Sequence, residues 1–369
     1  MRVAIRNYKS IEDLELELGR VTVLIGPPAA GKSNILEAIA LVGYPWRLTQ
    51  QEMYVQPQNI RPALQSILRT WPQVPTLDVV FPKSDFTRVV SISVQNAAEP
   101  VELKIGYEAG KLKVEYCNND ITEVFIKCVI QSPDKWITNK LPKFEARLYS
   151  FDRYDYMRNL RFLTGSTYPI KLDVLLENGE NLAYIVGRFN EILLKINNFI
   201  EEYLESKVDI RYLRIEGRLV TFDYYVEVSP GLFADGIWRM LYYVAALYST
   251  RQYAHKYDLK DRLVVLIEEP DAHTFPFVIH LLTELIQEVS EYVYVVLTTH
   301  NGIFASMIAD KIPDTVVYYV YRDRYGWTRA IKISIEKLAR HIVEISDLLL
   351  MKPSEVVEKF AEQVQYYTT

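Results

Sequence analysis

Cysteine is nearly absent: two residues, Cys117 and Cys128, in a chain of 369. Neither has ligand-like neighbours in the sequence. A disulfide framework and a zinc site are therefore both unsupported, and a cytoplasmic setting is the expectation. Long apolar runs are missing as well. None reaches the ~18 residues of a membrane span, and the N-terminus lacks the pattern of a secretory signal, so no membrane association is expected. A basic excess is also missing. Lys and Arg number 42 against 47 Asp and Glu, a net charge of -5. Bulk electrostatics thus do not announce a nucleic-acid binder, although a local basic face is compatible with this balance. There is no tandem repeat and no low-complexity tract. No heptad pattern is sustained, which excludes a long coiled-coil arm.

What remains is a globular composition, 49% hydrophobic and 24% charged, long enough for two domains or for one domain with a sizeable insertion. Tyrosine is abundant at 27 residues, which reads as packing rather than base stacking. The most informative stretch is VTVLIGPPAAGKS at 21–33. A β-branched apolar run ends at Gly26, and Gly31-Lys32-Ser33 completes the spacing GxxxxGKS. This is the pattern of a phosphate-binding loop: a buried strand, a turn whose N–H groups face inward, then a helix. Ile35, Leu36, Ile39 and Val42 mark one face of that helix. Lys32 is placed to reach the β- and γ-phosphates of a nucleotide, and the Ser33 hydroxyl to ligate Mg²⁺. Pro27 and Pro28 withdraw two N–H donors from the loop, which leaves those of Ala29, Ala30, Gly31, Lys32 and Ser33.

Two later segments fit the same chemistry. In LVVLIEEPDAHTFP (263–276) a wholly apolar run ends in Glu268 and Glu269. On an extended backbone their side chains face opposite ways. One can support the metal while the other faces the attacking water, which is the division of labour ATP hydrolysis needs. In VYVVLTTH (293–300) a second buried strand ends near His300. Ligands collect at the carboxyl ends of strands in open α/β sheets, so His300 is a candidate partner for a γ-phosphate or for the water.

In this order the motifs resemble the ABC-type P-loop ATPases of the SMC, RecF and OLD group of AAA-family ATPases, and neither a coiled-coil arm nor a nuclease domain is expected in this chain. The opening, with NYKSI at 7–11, is similar to the group's first strand and turn. LIEEPDAHTFP resembles its Walker B and D-loop stretch, and VVLTTHNGIFAS its switch-histidine stretch. LLENGENLAYIV at 175–186 resembles a helix start common in the group, and VYYVYRDRYGWTRAIKI its late hairpin.

The resemblance implies an α/β P-loop fold of ABC/SMC-head type. Its parallel core sheet would carry a flanking antiparallel β subdomain and an inserted β/helical lid. It implies that Gly26, Ala29, Ala30, Gly31, Lys32, Ser33 and Asn34 bind ATP, and that Ser33 and Glu268 hold Mg²⁺. Glu269 would be the base, with Lys32 and His300 assisting. Asp271 and His273 would meet a partner copy. LFADGIWRMLYYVAAL (232–247) resembles the signature that caps the other copy's ATP in a dimer, with Asp235, Gly236 and Arg239 in place but Ala234 where the group carries serine. That substitution puts efficient hydrolysis in doubt.

The group's γ-sensing glutamine has no convincing counterpart. By position 147–159 replaces it, with Ser150, Asp152 or Arg153 near the nucleotide. The partners implied are a second copy, DNA, and a separate nuclease or effector subunit. For DNA only scattered Arg153, Arg158, Arg161, Arg322 and Arg324 are on offer. A transporter ATPase subunit is disfavoured by the absence of an LSGGQ-like signature.

The expected organisation is residues 1–44 as the first part of the core and 45–228 as an insertion. Residues 229–334 would return to the core, and 335–369 would be a helical extension. Within the insertion, 77–131 reads as antiparallel β, TEVFIKCVI at 122–130 included, and about 165–210 as a helical lid with its helix at 181–206. The extension reads as one or two amphipathic helices broken at Pro353.

Overall fold

In the computed structural model the phosphate loop sits where two sheets meet. The described residues are 1–47, 49, 77–95, 99–130, 141–151, 172–205, 208–213, 218–223, 225–228 and 235–360. The chain opens with β1 (Arg2–Tyr8) and β2 (Ile11–Glu17), an antiparallel pair, and then β3 (Val21–Ile25). All five residues of β3 are buried, as a strand covered on both faces requires. After the loop comes α1 (Lys32–Arg47). Its Ile35, Leu36, Ile39 and Val42 are fully buried, at roughly 1.5–3 kcal/mol each for the larger side chains.

Strands β4 (Val90–Gln95), β5 (Val101–Glu108), β6 (Lys111–Tyr116) and β7 (Asn119–Asp120) follow. They do not form a separate sheet. β4 pairs with β1, giving one six-stranded order β2-β1-β4-β5-β6-β7. The flanking antiparallel unit is thus built jointly by the first 17 residues and by part of the segment 45–228.

Thr122–Ile130, expected as a strand, is a helix, α2. The Asp120 carboxylate accepts from the Thr122 N–H, and Phe125 is buried edge-on against Tyr44 of α1. Tertiary packing overrides the β-branched composition here, as it commonly does for short apolar runs.

The second sheet holds the core, in the order β15-β14-β3-β13-β12-β8. β8 (Glu145–Ser150) is parallel to β12 (Leu263–Glu268). The expected insertion therefore supplies a core strand. β13 (Tyr294–Thr298) lies between β12 and β3, and β14 (Thr315–Arg322) on the other side of β3, all parallel. β15 (Thr328–Lys332) returns antiparallel to β14, forming the expected late hairpin.

Helices α3 (Leu182–Arg188) and α4 (Asn190–Leu204) occupy the stretch expected as one helix, broken at Phe189. With a small sheet of β9 (Val208–Leu213), β10 (Arg218–Asp223) and β11 (Val226–Val228) they pack beside α5 (Asp235–Lys256). The Asn181 side chain, at the start of α3, does not cap the helix. It accepts from the Leu176 N–H and donates to the Leu172 and Val174 carbonyls, stapling the preceding loop.

Helices α6 (Val278–Ser290) and α7 (Gly302–Lys311) follow β12 and β13. Among the described residues the C-terminal stretch forms three short helices: α8 (Ile335–His341), α9 (Ile345–Leu348) and α10 (Pro353–Phe360). Pro353 starts the last of them rather than breaking one, consistent with its fixed φ at a first helical position. Leu338, Leu348, Val356 and Phe360 are buried, so the extension caps the core. Among the described residues no helix is long and apolar enough to cross a membrane.

A buried ion cluster locks α1 to β8. Arg47 contacts Glu145 at 3.2 Å and Glu177 at 2.6 Å, and Arg147 contacts Glu145 at 2.6 Å; all four side chains are at most 1% exposed. Burial pushes the Glu177 carboxyl up, but Arg47 and Arg147 outweigh it and hold the group below the usual range. Gly43 allows the close approach: a Cβ there would fall 2.3 Å from the Ala146 nitrogen.

Candidate functional site

The carboxyl ends of β3, β12 and β13 converge on the loop at 26–31. Gly26 (φ +139°) and Gly31 (φ +103°) hold backbone shapes that side chains rarely adopt. A Cβ on Gly26 would lie 2.1 Å from the Val320 carbonyl of β14, and one on Gly31 would lie 2.1 Å from Thr328 Oγ1 of β15. The late hairpin therefore backs the loop directly. Thr328 Oγ1 donates to the Ala30 carbonyl at 2.9 Å and shares a 2.7 Å hydrogen bond with Ser10 Oγ. Asn34 Nδ2 donates to the same Ser10 Oγ at 2.6 Å. Ala29, also at positive φ (+59°), completes the turn.

Lys32 Nζ donates to the Gly26 and Pro27 carbonyls at 2.8 and 3.0 Å. Burial pushes its amine down to about 8, against an opposing pull from Glu269. Ser33 Oγ donates to Glu268 Oε1 at 2.5 Å, so the two residues expected at a metal are in direct contact. Both are oxygen donors suited to a hard cation. Among the described residues no group of three or more His, Cys, Asp or Glu is placed to hold a metal ion.

Glu269 departs from expectation in its backbone. It is not extended: φ is +43°, and its N–H donates to the Thr298 carbonyl at 3.1 Å and to Thr298 Oγ1 at 3.2 Å. The chain turns sharply there, and the side chain comes within 3.4 Å of His300 Nε2. His300 lies two residues beyond β13 rather than at its end. Burial, then Lys32, lowers its pKa against the pull of Glu269, so the ring is neutral at pH 7. Both side chains remain about two-fifths exposed, at 39% for His300 and 41% for Glu269.

Asp271 Oδ2 accepts from Thr299 Oγ1 at 2.8 Å, and Thr299 Oγ1 also accepts from the Asn301 N–H. Asn301 Oδ1 then caps α7. The loops after β12 and β13 are thus tied together, and burial raises the Asp271 carboxyl.

Lys32, Ser33, Asn34, Glu269 and His300 line one cavity of about 360 Å³ with Ala29, Ala30 and Gly31. Two further cations line it. Lys9, from the NYKSI turn, ion-pairs with Glu37 of α1. Arg322 was read in sequence only as scattered basic charge, and its place at the end of a strand beside β3 is the signal that could have found it.

Asp235 and Gly236 start α5 and do not line this cavity; Gly236 lies instead against the His273 carbonyl. Arg239, one turn along, donates to the Glu269 carbonyl at 3.4 Å and to the Phe151 carbonyl at 3.2 Å. Tyr243 O–H donates to the Glu268 carbonyl at 2.7 Å and accepts from the Phe151 N–H at 3.0 Å. Burial first raises the Tyr243 phenol, to about 12. Of the glutamine-loop candidates, Ser150 ends β8 beside Glu268. Asp152, Arg153, Arg158, Arg161 and Ala234 lie outside the described residues.

Residues 1–208 match the AAA ATPase domain family. A stretch of 41 residues is 46% identical to the OLD nuclease of Thermus scotoductus (strain ATCC 700910 / SA-01), which is 11% of this chain and 8% of that protein. The fold is similar to an SMC head bound to the C-winged helix domain of ScpA, over 92% of this chain and 98% of that one, with 14% identity and a TM-score of 0.52. A structure of the recombination mediator RecF aligns over 90% of this chain at 10% identity and a TM-score of 0.46. With its family match spanning more than half of the chain, the protein belongs to the AAA ATPase domain family, and its fold is similar to that of an SMC head.

Proposed function

We propose that this chain binds ATP with Mg²⁺ in the cavity beside the phosphate loop and hydrolyses it. The observation that carries the reading is the contact between Ser33 Oγ and Glu268, with Glu269 and His300 3.4 Å apart in the wall of the cavity that Ser33 lines. Ser33 and Glu268 would hold the Mg²⁺, which neutralises charge on the phosphates when bound. The loop N–H groups from Ala29 to Ser33 and the Lys32 amine bind the phosphate oxygens. The Glu269 carboxylate accepts the proton of the attacking water. The neutral His300 ring orients that water or donates to the terminal phosphate.

Two copies close around ATP, with Asp235 and Gly236 of one reaching the nucleotide of the other, and Asp271 and His273 at the seam. Exposed apolar side chains beside this loop pair, Phe275 at 58% and Ile303 at 65%, suit burial by a second copy. Closure couples to DNA or to an effector protein such as a separate nuclease subunit, in repair, chromosome maintenance or defence. A second reading is a nucleotide-dependent regulatory subunit that barely turns over. It is favoured by Ala234, which offers no hydroxyl where the group has serine.

The test is ATP turnover with and without duplex DNA for the wild type, Lys32→Ala and Glu269→Gln, with light scattering in parallel. Turnover absent from both variants, together with an ATP-dependent dimer of Glu269→Gln, is expected. Wild-type turnover no greater than that of Lys32→Ala would leave the regulatory reading. A monomer under every condition would refute closure.

A further inference from the structure

The cavity has two ends, and the strand order distinguishes them. Glu269 and His300 follow β12 and β13, on one side of β3; β14 lies on the other. β14 runs parallel to β3 as far as the pairing of Tyr319 with Ile25, then continues to Arg322. The extra residues carry Arg322 past the end of β3 and alongside the phosphate loop. Its Nε donates to the Ala29 carbonyl at 3.0 Å and its Nη1 to the Gly326 carbonyl at 2.6 Å.

Both acceptors are neutral, and among the described residues Arg322 forms no ion pair. The neighbouring Asp323 is already engaged: it accepts from Arg329 Nε at 2.8 Å and from the Tyr325 and Trp327 N–H groups. An exposed guanidinium therefore lines the cavity with donors of its fork to spare. It stands beside a loop that has lost two N–H donors at Pro27 and Pro28.

We propose that Arg322 is an anion-binding residue of this cavity and holds the phosphate nearest the nucleoside, the part that ATP and ADP share. The inference rests on the ATP-binding reading above. Its position opposite Glu269 and His300 excludes the terminal phosphate, where hydrolysis occurs. A phosphate oxygen accepting from the spare donors forms a charge-assisted bond without displacing the contact to Ala29. Arg322 thus supplies from a distant strand what the loop itself lacks.

The experiment is calorimetric titration of the full chain with Mg²⁺ and either ATP or ADP, for the wild type, Arg322→Ala, Arg322→Gln and Lys32→Ala. Arg322→Ala and Arg322→Gln are each expected to weaken ATP and ADP by the same factor, about tenfold, the size of one charge-assisted hydrogen bond. Loss confined to ATP would place Arg322 at the terminal phosphate and overturn the proposal. So would unchanged affinity. Wild-type binding by Arg322→Gln, which keeps an N–H donor for the Ala29 carbonyl without the charge, would reduce the residue to a loop brace. Should Arg322→Ala not fold, Arg322→Gln alone carries the test. A wild type that binds neither nucleotide would sink the ATP-binding reading itself, whereas loss in Lys32→Ala with none in the Arg322 variants sinks only this assignment.

Discussion

Nucleotide binding should take up a proton, and Lys32 should be its site. Burial holds the free amine down at about 8 against an ordinary value of 10.5. Phosphate oxygens around the amine restore the charged form. With the bound pKa back at or above 10.5, uptake per site is about 0.1 proton at pH 7, about 0.5 at pH 8 and about 0.9 at pH 9. The charged fraction of the free amine falls about tenfold from pH 7 to pH 9, so the dissociation constant rises about tenfold across the same range.

The nucleotide-free protein responds in the opposite sense. Its folded-state amine binds protons less well than the unfolded chain does. The resulting penalty is fully present below pH 8 and is relieved between pH 8 and 10.5, so this group's contribution to stability rises there. Calorimetry in buffers of different ionisation heat reads the uptake directly, and working above pH 7.5 keeps the terminal phosphate of ATP fully ionised. Equal uptake by the wild type and by Lys32→Ala, which retains residual binding at high nucleotide concentration, would refute the reasoning.

Breaking the buried cluster should cost more stability than any surface change. Arg47→Ala removes the nearer partner of Glu177 and leaves it only Arg147, at 3.7 Å, and about 3–5 kcal/mol of stability should be lost in a denaturant titration. Gly31→Ala forces a Cβ into Thr328 Oγ1 at a positive φ; ATP affinity should fall at least about tenfold, as for strain of about 1–3 kcal/mol placed at the binding loop. Tyr243→Phe removes the hydroxyl that bridges the Glu268 carbonyl and the Phe151 N–H. Stability should fall by about 1–3 kcal/mol, and turnover should fall further than nucleotide affinity does.

The phosphate loop and the strands leading to Glu268 and His300 were legible because local rules govern them. A strand buried on both faces shows as an apolar run, and glycines must stand where φ is positive. The placing of Ser33 and Glu268 at one point came from the family resemblance instead. The conformation of Glu269 was not legible, because extended geometry was assumed one residue past the strand, where the hydrogen bonds to Thr298 turn the chain. Thr122–Ile130 misled because a short apolar, β-branched run has no decisive period, and what settles it is Phe125 against Tyr44. The membership of β4 and β8 in their sheets was hidden for a different reason. Strand pairing across roughly ninety or more residues leaves no trace in local composition. Arg322 was visible as a charge, but its meaning came only from the neighbour strand that carries it.

The partnership between the phosphate loop and the late hairpin bears on how the protein is made. Ser10 and Ala30 meet Thr328 across sequence separations of 318 and 298 residues. Synthesis proceeds from the N-terminus, and contacts of such span close late. A nascent chain exposes the complete GPPAAGKS loop early, but without the strand that backs Gly26 or the threonine that fixes Gly31. A nucleotide held by this loop would therefore act as a folding ligand only once residues 315–332 have joined the sheet. Until then the first seventeen residues wait for partners from β4 as well, and the antiparallel edge they present is the nascent chain's main exposure to mispairing.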